Sequence, residues 1–260
     1  MGFGKRLLKH LLSEACLVKL RALDYRWHST AELLLLSLLC NPGKCSVDTG
    51  ANLGVFTYYL ARYSAHVYAY EPNPELTARL QRAFTQKVTV IQAALSDLPG
   101  SITLKVPSYR GQEMLGLASV SQTFDDADEV REFTVPRRRL DDEGLTNVGF
   151  VKIDVEQHEE PVLRGSMRLL EKQKPNILLE VTPKLYSRPL ADFLGPVLAL
   201  GYRGYFIYDG ILMDLKNYCM DQHNRSENYG VAGKYVTNVV LTGKPLRTEG
   251  DGASPRIKWA

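Results

Sequence analysis

Cysteine is scarce in this sequence, and its arrangement argues against a covalent framework. The 260 residues include four cysteines, which form neither a C-x-x-C motif nor a pair with the spacing of metal ligands. Because such a set does not build a disulfide framework, we expect a reduced, cytoplasmic compartment. The four positions are Cys16, Cys40, Cys45 and Cys219.

Long apolar runs and a strong charge of one sign are also lacking. The longest apolar run, residues 33–39, contains Ser37 and is far too short to cross a bilayer. The formal net charge of +3 is small for this length and does not favour nucleic acid as a partner. Residues 1–12 lack a clear secretory signal and predict a short basic amphipathic helix. Such a helix more often packs on its own domain, and contact with an anionic membrane surface is the alternative.

The segment VDTGANLG, residues 47–54, lacks the third glycine of a dinucleotide-binding turn. A pyrophosphate needs three unobstructed backbone positions, whereas only Gly50 and Gly54 occur here, and Asp48 would repel a phosphate. A cofactor with a ribose, no phosphate and a positive centre fits these residues better, and S-adenosylmethionine is such a molecule. A generic tight turn in another doubly wound protein is the alternative.

An acidic residue, Glu71, follows the next predicted strand, residues 66–70. A carboxylate at that position accepts hydrogen bonds from ribose hydroxyls, and an acid in a solvated turn is the alternative. We expect Asp48 to bind the amino group of the methionine portion, directly or through water. The backbone of Gly50 and Ala51 is expected to face the same portion.

Two asparagines stand where helices are predicted to begin. Asn52 opens a helix that ends near residue 62, and it either contacts the ligand or only caps that helix. Asn73 is a natural N-cap, and Pro74 after it suits the first helical position. Each asparagine therefore lies next to one of the two turns that we expect to hold the cofactor.

Strand and helix patterns alternate along most of the chain, which predicts a doubly wound, Rossmann-like α/β fold with a seven-stranded sheet. The predicted strands are residues 45–48, 66–70, 88–91, 149–154, 176–181, 205–208 and 235–241. Residues 101–136 interrupt the alternation, and we interpret them as an inserted β-hairpin with a mobile loop, a lid over the pocket. The chain then divides into an N-terminal helical segment (1–43), a main domain (44–245) and a flexible tail (246–260).

Four ordered motifs resemble those of the FkbM-type S-adenosylmethionine-dependent methyltransferase family, which has the class I methyltransferase fold. They are residues 47–54, YEPN at 70–73, ALSD at 94–97 and VKIDVE at 151–156. The resemblance covers about residues 44–245 and implies transfer of a methyl group, usually to an oxygen of a sugar or another hydroxylated small molecule. The cofactor-binding residues expected from these motifs are Asp48, Gly50, Ala51, Asn52, Gly54, Glu71, Pro72, Asn73, Ser96 and Asp97.

The third and fourth motifs carry more open assignments. Asp97 follows the third strand, where this fold usually meets the adenine, and its carboxylate could accept the exocyclic amine while Ser96 offers a weaker contact. A turn acid ahead of Pro99 is the alternative. The family usually has a glycine after the Asp-Val-Glu of the fourth strand. This chain has Gln157 there, which could narrow the pocket or alter the choice of acceptor.

Acidic side chains and one histidine follow the fourth and fifth strands. Asp154, Glu156 and His158 alternate, so in an extended segment they would share one face. A hydroxyl oxygen is a poor nucleophile until a base removes its proton or a metal lowers its pKa. We expect His158 to be the base, because its ordinary pKa lies near neutrality, with Asp154 and Glu180 orienting it. A magnesium, calcium or manganese ion held by these carboxylates is the less favoured alternative, and simple helix capping is another.

Other parts of the sequence leave alternatives open. Residues 137–139 are three consecutive arginines, which either steer an anionic acceptor, such as a phosphorylated sugar or lipid head group, or form a solvated loop. The hypothesis is methyl transfer to a hydroxyl of a sugar, glycolipid or other small molecule. A catalytically degenerate scaffold, motivated by Gln157, is the main alternative, and the missing third glycine disfavours a nicotinamide oxidoreductase. The acceptor and the oligomeric state are not readable from the sequence.

Overall fold

The computed structural model describes residues 12–28, 31–181, 189–231, 233–244 and 246. Most of the expected basic helix at residues 1–12 and of the tail at residues 246–260 therefore lies outside the described residues. The helices are α1 (Glu14–His28), α2 (Ala31–Leu39), α3 (Val55–Tyr63), α4 (Pro74–Ala83), α5 (Glu159–Arg164), α6 (Met167–Gln173), α7 (Leu190–Ala199) and α8 (Met220–His223).

The strands form two sheets, the larger of which contains eight strands. The strands are β1 (Cys45–Thr49), β2 (His66–Tyr70), β3 (Val88–Ile91), β4 (Ala94–Leu95), β5 (Gly100–Tyr109), β6 (Gln112–Glu113), β7 (Glu129–Arg138), β8 (Val148–Ile153), β9 (Asn176–Glu180), β10 (Arg203–Tyr208), β11 (Ile211–Asp214) and β12 (Asn238–Thr242). The order in the large sheet is β11-β10-β12-β9-β8-β1-β2-β3.

The centre of the large sheet is parallel and buried. β1 pairs in parallel with β2 on one side and β8 on the other, and β3 and β9 extend the parallel set. Helices cover both faces of such a sheet, so its strands carry near-continuous apolar residues. Val47, Phe150, Val151 and Ile177 are fully buried. The predicted doubly wound α/β fold is confirmed.

One edge of the large sheet differs from the prediction of seven strands. β10 and β12 pair in antiparallel fashion, and β12 also pairs with β9, so β12 is an interior strand. The edge is β11, which forms a hairpin with β10. The turn between them has Asp209 and Gly210 with φ of 52° and 71°, and an Asp-Gly pair of this kind is a strong hairpin signal. The eighth strand follows from that two-residue turn.

The insertion forms the second sheet, in the order β4-β7-β5-β6. β5 and β7 pair antiparallel from Gly100 opposite Arg137 to Ser108 opposite Glu129, which confirms the expected hairpin. This sheet buries its own apolar cluster of Leu104, Val106 and Val135, with Ala94 from β4. The insertion is therefore a folded unit with a core of its own.

The N-terminal helices pack on the α/β domain. Leu33 and Leu36 of α2 share an apolar cluster with Leu60 of α3 and Phe150 of β8. The Tyr59 hydroxyl donates to the Ala22 carbonyl at 3.0 Å, which ties α3 to α1. Within the part of the chain that the structure describes, no helix combines the length and apolar composition needed to cross a bilayer.

Candidate active site

A cavity of about 720 Å³, partly open to solvent, lies at the carboxyl ends of β1, β2, β8 and β9. β1 is the strand at which the order of the sheet reverses, because the chain continues through β2 and β3 on one side and through β8 and β9 on the other. Ligands of open α/β sheets bind outside such a switch point. The predicted site residues that line the cavity are Gly50, Asn52, Glu71, Pro72, Asp154, Glu156, His158 and Glu180.

The glycine turn after β1 is packed tightly against the end of β8. Gly50 has φ of 79°, and a Cβ built on it would lie 1.9 Å from the carbonyl oxygen of Asp154, so no side chain fits there. The N–H groups of Gly50 and Ala51 both donate to the Tyr70 carbonyl, at 3.0 and 3.1 Å. The N–H groups of both residues therefore join β1 to β2 and are not free to bind a ligand, but Gly50 lines the cavity as expected, whereas Ala51 does not.

Glu71 lies on the cavity wall with its carboxylate held by two backbone donors. Oε2 accepts from the N–H of Asn52 at 2.7 Å, and Oε1 accepts from the N–H of Asn73 at 2.8 Å. Burial raises the pKa of Glu71 to about 7, although both backbone N–H groups oppose that shift. A carboxylate oxygen has room for a second donor, so this geometry leaves an acceptor for each hydroxyl of a diol.

The two asparagines have different roles. Asn73 is the N-cap of α4: its Oδ1 accepts from the N–H groups of Glu75 and Leu76, and the residue is fully buried behind the cavity wall. The predicted role of Asn73 as an N-cap is confirmed, but Asn73 does not line the cavity. Asn52 does not cap α3, whose N-cap is Gly54. Asn52 lines the cavity instead, and its Oδ1 is buried without a hydrogen-bond partner in the described part of the chain.

Asp48 is fully buried and is not among the residues on the cavity wall. Its Oδ2 accepts from the Thr57 hydroxyl at 2.5 Å, and its Oδ1 lies 3.7 Å from Lys152 Nζ. Burial raises its pKa despite the lysine. The expected contact with the methionine portion is corrected, because the side chain points into the protein and pairs with β8.

Lys152 is the residue that sequence reasoning missed. It lies opposite Asp48 in the β1–β8 register and is only 4% exposed. Its Nζ lies 2.8 Å from Asp154 Oδ2 and 4.7 Å from the centre of the Phe56 ring. Burial lowers the pKa of Lys152, but Asp154 and Asp48 outweigh it and raise the pKa above its ordinary value. A lysine within an otherwise apolar buried strand was the signal that could have identified it.

Asp154 and Glu180 form a hydrogen-bonded carboxyl pair on the cavity wall. Burial and then the charge of Asp154 raise the pKa of Glu180 to about 9. Burial alone would raise the pKa of Asp154, but Lys152 and the hydrogen bond from Glu180 hold it below its ordinary value. At neutral pH the pair therefore carries one proton, on Glu180, and one negative charge, on Asp154.

The raised pKa of Glu180 predicts how stability depends on pH. The folded state holds this proton up to about pH 9, whereas an unfolded glutamate releases it near pH 4.5, so the free energy of unfolding falls as the pH rises between these values. We expect Glu180→Gln to show a shallower fall than the native chain between pH 5 and 9, measured by urea unfolding. Glu227→Gln, at an exposed carboxylate, is the control and should follow the native curve. Identical slopes for Glu180→Gln and the native chain would contradict the assignment.

The loop after β8 is not the extended segment that the alternation of Asp154, Glu156 and His158 suggested. Glu156 and Gln157 have φ of 54° and 71°, two consecutive left-handed residues. All three predicted side chains still line the cavity, but the turn and not a strand places them there. Burial, followed by the charge of Asp154, raises the pKa of Glu156 to about 7. The left-handed φ also explains why a glycine suits position 157.

This turn predicts that glycine at position 157 is stabilising. The left-handed conformation destabilises the folded state by roughly 1 kcal/mol or more when the residue is not glycine. Glycine removes this strain, but it also raises the entropy of the unfolded chain, which offsets part of the gain. We expect Gln157→Gly to raise the free energy of unfolding by roughly 0.5–1 kcal/mol in urea titrations. Lys87→Gly is the matched control, since Lys87 has φ of 58° in a turn before β3. A gain for Lys87→Gly without one for Gln157→Gly would show that the cavity loop holds Gln157 by contacts that offset the strain.

His158 joins the insertion to the α/β domain. Its Nδ1 is 2.6 Å from the Ser121 hydroxyl, and its Nε2 is 3.0 Å from the Ser96 hydroxyl. Burial lowers its pKa to about 4. The expectation that His158 is the base is therefore disfavoured, because the ring is neutral and both nitrogens are engaged. Its position suggests that it orients the wall of the cavity instead.

Neither residue expected at the adenine lines the cavity. Asp97 forms an ion pair with Arg164, whose Nη2 and Nε lie 2.9 and 3.1 Å from its Oδ2. Ser96 is buried against His158. The neighbouring Ala94 and Leu95 line the cavity instead, together with Leu104 of the insertion. The expected polar contacts with adenine are therefore corrected. Asp97 is bonded to Arg164 and Ser96 to His158, and the cavity wall beside them is apolar.

The three arginines at 137–139 do not line the cavity. Arg138 pairs with Glu143 at 3.3 Å, and Arg139 lies within 3.8 Å of Asp141 and Asp142. Arg137 and Arg138 belong to β7, so the solvated-loop interpretation is wrong for these two residues. The ion pairs of Arg138 and Arg139 also do not favour steering of an anionic acceptor. Among the described residues, no three His, Cys, Asp or Glu side chains are grouped so that they could hold a metal ion.

The cavity residues fit an adenosyl sulfonium compound. Two buried polar atoms of its lining residues, Thr49 Oγ1 and Asn52 Oδ1, have no partner in the described part of the chain. The carboxyls of Glu71, Asp154 and Glu156 make the wall acidic, which suits a cation and disfavours a pyrophosphate. Glu71 would hold the ribose, and the apolar strip at β4 and the insertion would receive the base.

Comparison with known proteins agrees with this geometry. Residues 48–205, more than half of the chain, match the Methyltransferase FkbM domain. Methyltransferase 1 of Beauveria bassiana (strain ARSEF 2860) is 32% identical over an alignment of 145 residues, and the match covers 46% of this chain and 57% of that protein. The crystal structure of methyltransferase FkbM from Methylobacillus flagellatus KT superposes with a TM-score of 0.50 at 17% identity. It covers 77% of this chain and 44% of that one, and it shows a shared fold. The chain spans only about half the length of these relatives, and by its domain match it belongs to the FkbM methyltransferase family.

Proposed function

We propose that this protein transfers a methyl group from S-adenosylmethionine to a hydroxyl oxygen of a small molecule, such as a sugar. The observation that carries the proposal is the cavity at the switch point, in which Glu71 and Asn52 lie on one side and Asp154, Glu156 and Glu180 on the other. Membership of the FkbM methyltransferase family supports the reaction class. Four free cysteine thiols support a reducing, cytoplasmic location.

One end of the cavity binds the cofactor through the Glu71 carboxylate and through an apolar surface. Glu71 offers one oxygen to each ribose hydroxyl while backbone N–H groups fix its orientation. Ala94, Leu95 and Leu104 form an apolar surface for the base. When bound, S-adenosylmethionine supplies a methyl group activated by its positive sulfur, which keeps the electron pair of the broken carbon–sulfur bond.

The acidic end of the cavity handles the hydroxyl proton. A base is most effective when its pKa lies near the working pH, and the pKa of Glu156 is about 7. Glu156 is therefore our first candidate to accept the proton at a carboxylate oxygen. Asp154 and the protonated Glu180 orient the acceptor hydroxyl and stabilise the charge that develops. His158 holds the insertion against the site through Ser121 and does not take the proton.

Two measurements test the proposal. Titration calorimetry should show binding of S-adenosylmethionine and S-adenosylhomocysteine, and transfer of a radiolabelled methyl group should be detectable on a panel of hydroxylated compounds. Glu156→Gln should lower kcat by about 100-fold, a typical loss for a general base. Its affinity for S-adenosylhomocysteine, whose sulfur carries no charge, should stay unchanged. Failure of both cofactors to bind at millimolar concentration would remove the proposal. Binding without transfer to any acceptor would instead support a non-catalytic binding protein.

A further inference from the structure

A second cavity, with about 610 Å³ of space that includes open solvent at its mouth, lies where α1, α2 and α3 cover the ends of β8 and β9. We call it the helix pocket, defined by Tyr25, Glu32, Phe56, Leu178, Thr237 and Asn238. It meets the first cavity at Asp154 and Glu180, which line both. The carboxyl pair therefore forms a shared wall, with the cofactor cavity on one side and the helix pocket on the other.

The helix pocket has an apolar side and a polar side. The rings of Tyr25 and Phe56 lie 6.0 Å apart in an edge-to-face arrangement, and Leu178 lines the same cavity. Asn238 Nδ2 donates to Glu32 Oε1 at 3.2 Å, and the Thr237 hydroxyl lies next to that amide. Aromatic faces opposite a row of hydroxyl, amide and carboxyl groups suit a ring that has apolar faces and hydroxyls at its rim.

The charges around the helix pocket are nearly balanced. Lys152 is the only cation among the described residues that line it, and Asp154 already pairs with it at 2.8 Å. Glu180 keeps its proton because burial and Asp154 raise its pKa. Burial also raises the pKa of Glu32. With no free cation among these groups, the pocket disfavours a phosphate or carboxylate ligand, and it has little net negative charge with which to hold an amine.

We propose that the helix pocket is the acceptor subsite and that it takes an uncharged, polyhydroxylated ring of the saccharide class. This inference rests on the proposed methyl transfer. An acceptor in the helix pocket presents a rim hydroxyl past the shared wall of Asp154 and Glu180 into the cofactor cavity, which Glu156 also lines. The cofactor and the acceptor then enter from different sides of the same carboxyl pair. Four residues of the helix pocket lie outside the residues that match the family domain, whereas Phe56 and Leu178 lie within them. The four are Tyr25, Glu32, Thr237 and Asn238.

The test is binding to the native chain loaded with S-adenosylhomocysteine. The probes are the methyl glycosides of glucose, mannose and galactose at 20 mM, observed by saturation-transfer NMR, with glucose 6-phosphate and glucosamine as charged comparators. We expect at least one neutral glycoside to bind and both charged sugars to bind more weakly. Tyr25→Phe and Thr237→Val each remove one hydroxyl and keep the shape, and each should weaken that glycoside roughly three- to tenfold. Tyr229→Phe is the matched control, since Tyr229 is 70% exposed and outside the pocket.

The outcomes separate this inference from the function it rests on. Calorimetry should give the same S-adenosylhomocysteine affinity for the native chain, Tyr25→Phe and Thr237→Val. If S-adenosylhomocysteine binds but no neutral glycoside does, or if glucose 6-phosphate binds best, the acceptor subsite is refuted while cofactor binding stands. Weaker S-adenosylhomocysteine binding in Tyr25→Phe would assign the helix pocket to the cofactor and also refute it. Absence of S-adenosylhomocysteine binding in the native chain would refute the proposed function itself.

Discussion

Glu71→Ala is expected to weaken S-adenosylhomocysteine binding by about 100-fold in titration calorimetry. A hydrogen bond to a charged group contributes roughly 1.5–3 kcal/mol, and the ribose diol can make two of them with this carboxylate. A loss of about 3 kcal/mol corresponds to about two orders of magnitude in affinity. The change also leaves the N–H groups of Asn52 and Asn73 without their acceptors, so the turns after β1 and β2 loosen together.

Glu75→Ala is the matched control for this loss. Glu75 lies four residues further along the chain, on the exposed side of α4, and pairs with Arg131 at the surface. Its removal should leave cofactor affinity unchanged. Thermal unfolding of both variants must show that they remain folded at the titration temperature. Affinity within threefold of the native value in folded Glu71→Ala would mean that the ribose lies elsewhere.

Gly50→Ala is expected to destabilise the fold strongly. The new Cβ would meet the Asp154 carbonyl oxygen at 1.9 Å, so β1 and the loop after β8 must separate. The left-handed φ loses roughly 1–2 kcal/mol, and forced overpacking adds roughly 1–3 kcal/mol. We expect a total loss of about 3–4 kcal/mol in the free energy of unfolding, measured by urea titration, together with loss of cofactor binding.

Gly111→Ala is the control, because it introduces the backbone strain without the clash. Gly111 has φ of 69° in the turn between β5 and β6, and a Cβ there meets nothing within 4 Å. It should therefore lose only the roughly 1–2 kcal/mol of the left-handed conformation. Equal losses at the two positions would show that the end of β8 moves away from Gly50 at little cost. A Gly50→Ala chain that does not fold is consistent with the larger loss, provided that Gly111→Ala folds.

The parallel strands were predictable because short apolar runs end at clear polar breaks. The predicted bounds 66–70 and 88–91 coincide with β2 and β3. β11 was missed although Asp209 and Gly210 carry a hairpin signal, because the residues after them alternate over only four positions. The loop after β8 was misjudged for another reason. Two left-handed residues in succession, Glu156 and Gln157, are rare outside glycine and cannot be read from side-chain alternation.

Residues of the candidate site were predictable where a short motif fixes the backbone. They were not predictable where a contact with a residue far away in the sequence determines the role of the side chain. Glu71 lies on the cavity wall because the turn after β2 puts it there. His158 and Asp97 were misassigned because their partners, Ser121 and Arg164, are 37 and 67 residues away in the sequence. Those contacts consume the polar groups that would otherwise meet a ligand. Short spacing in a motif predicts position well, but it does not predict which side chains are already satisfied.

The two serines that anchor the insertion have an evolutionary consequence. Ser119 donates to the Glu156 carbonyl at 2.5 Å, and Ser121 contacts His158, so a few side-chain bonds attach an independently cored sheet to the loop after β8. The segment between β5 and β7 contributes Leu115, Gly116, Ala118 and Val120 to the cavity wall, and this part of the wall is a replaceable module. Exchange of the segment between β5 and β7 among homologues, with both serines retained, can reshape that wall while the parallel strands keep their sequence.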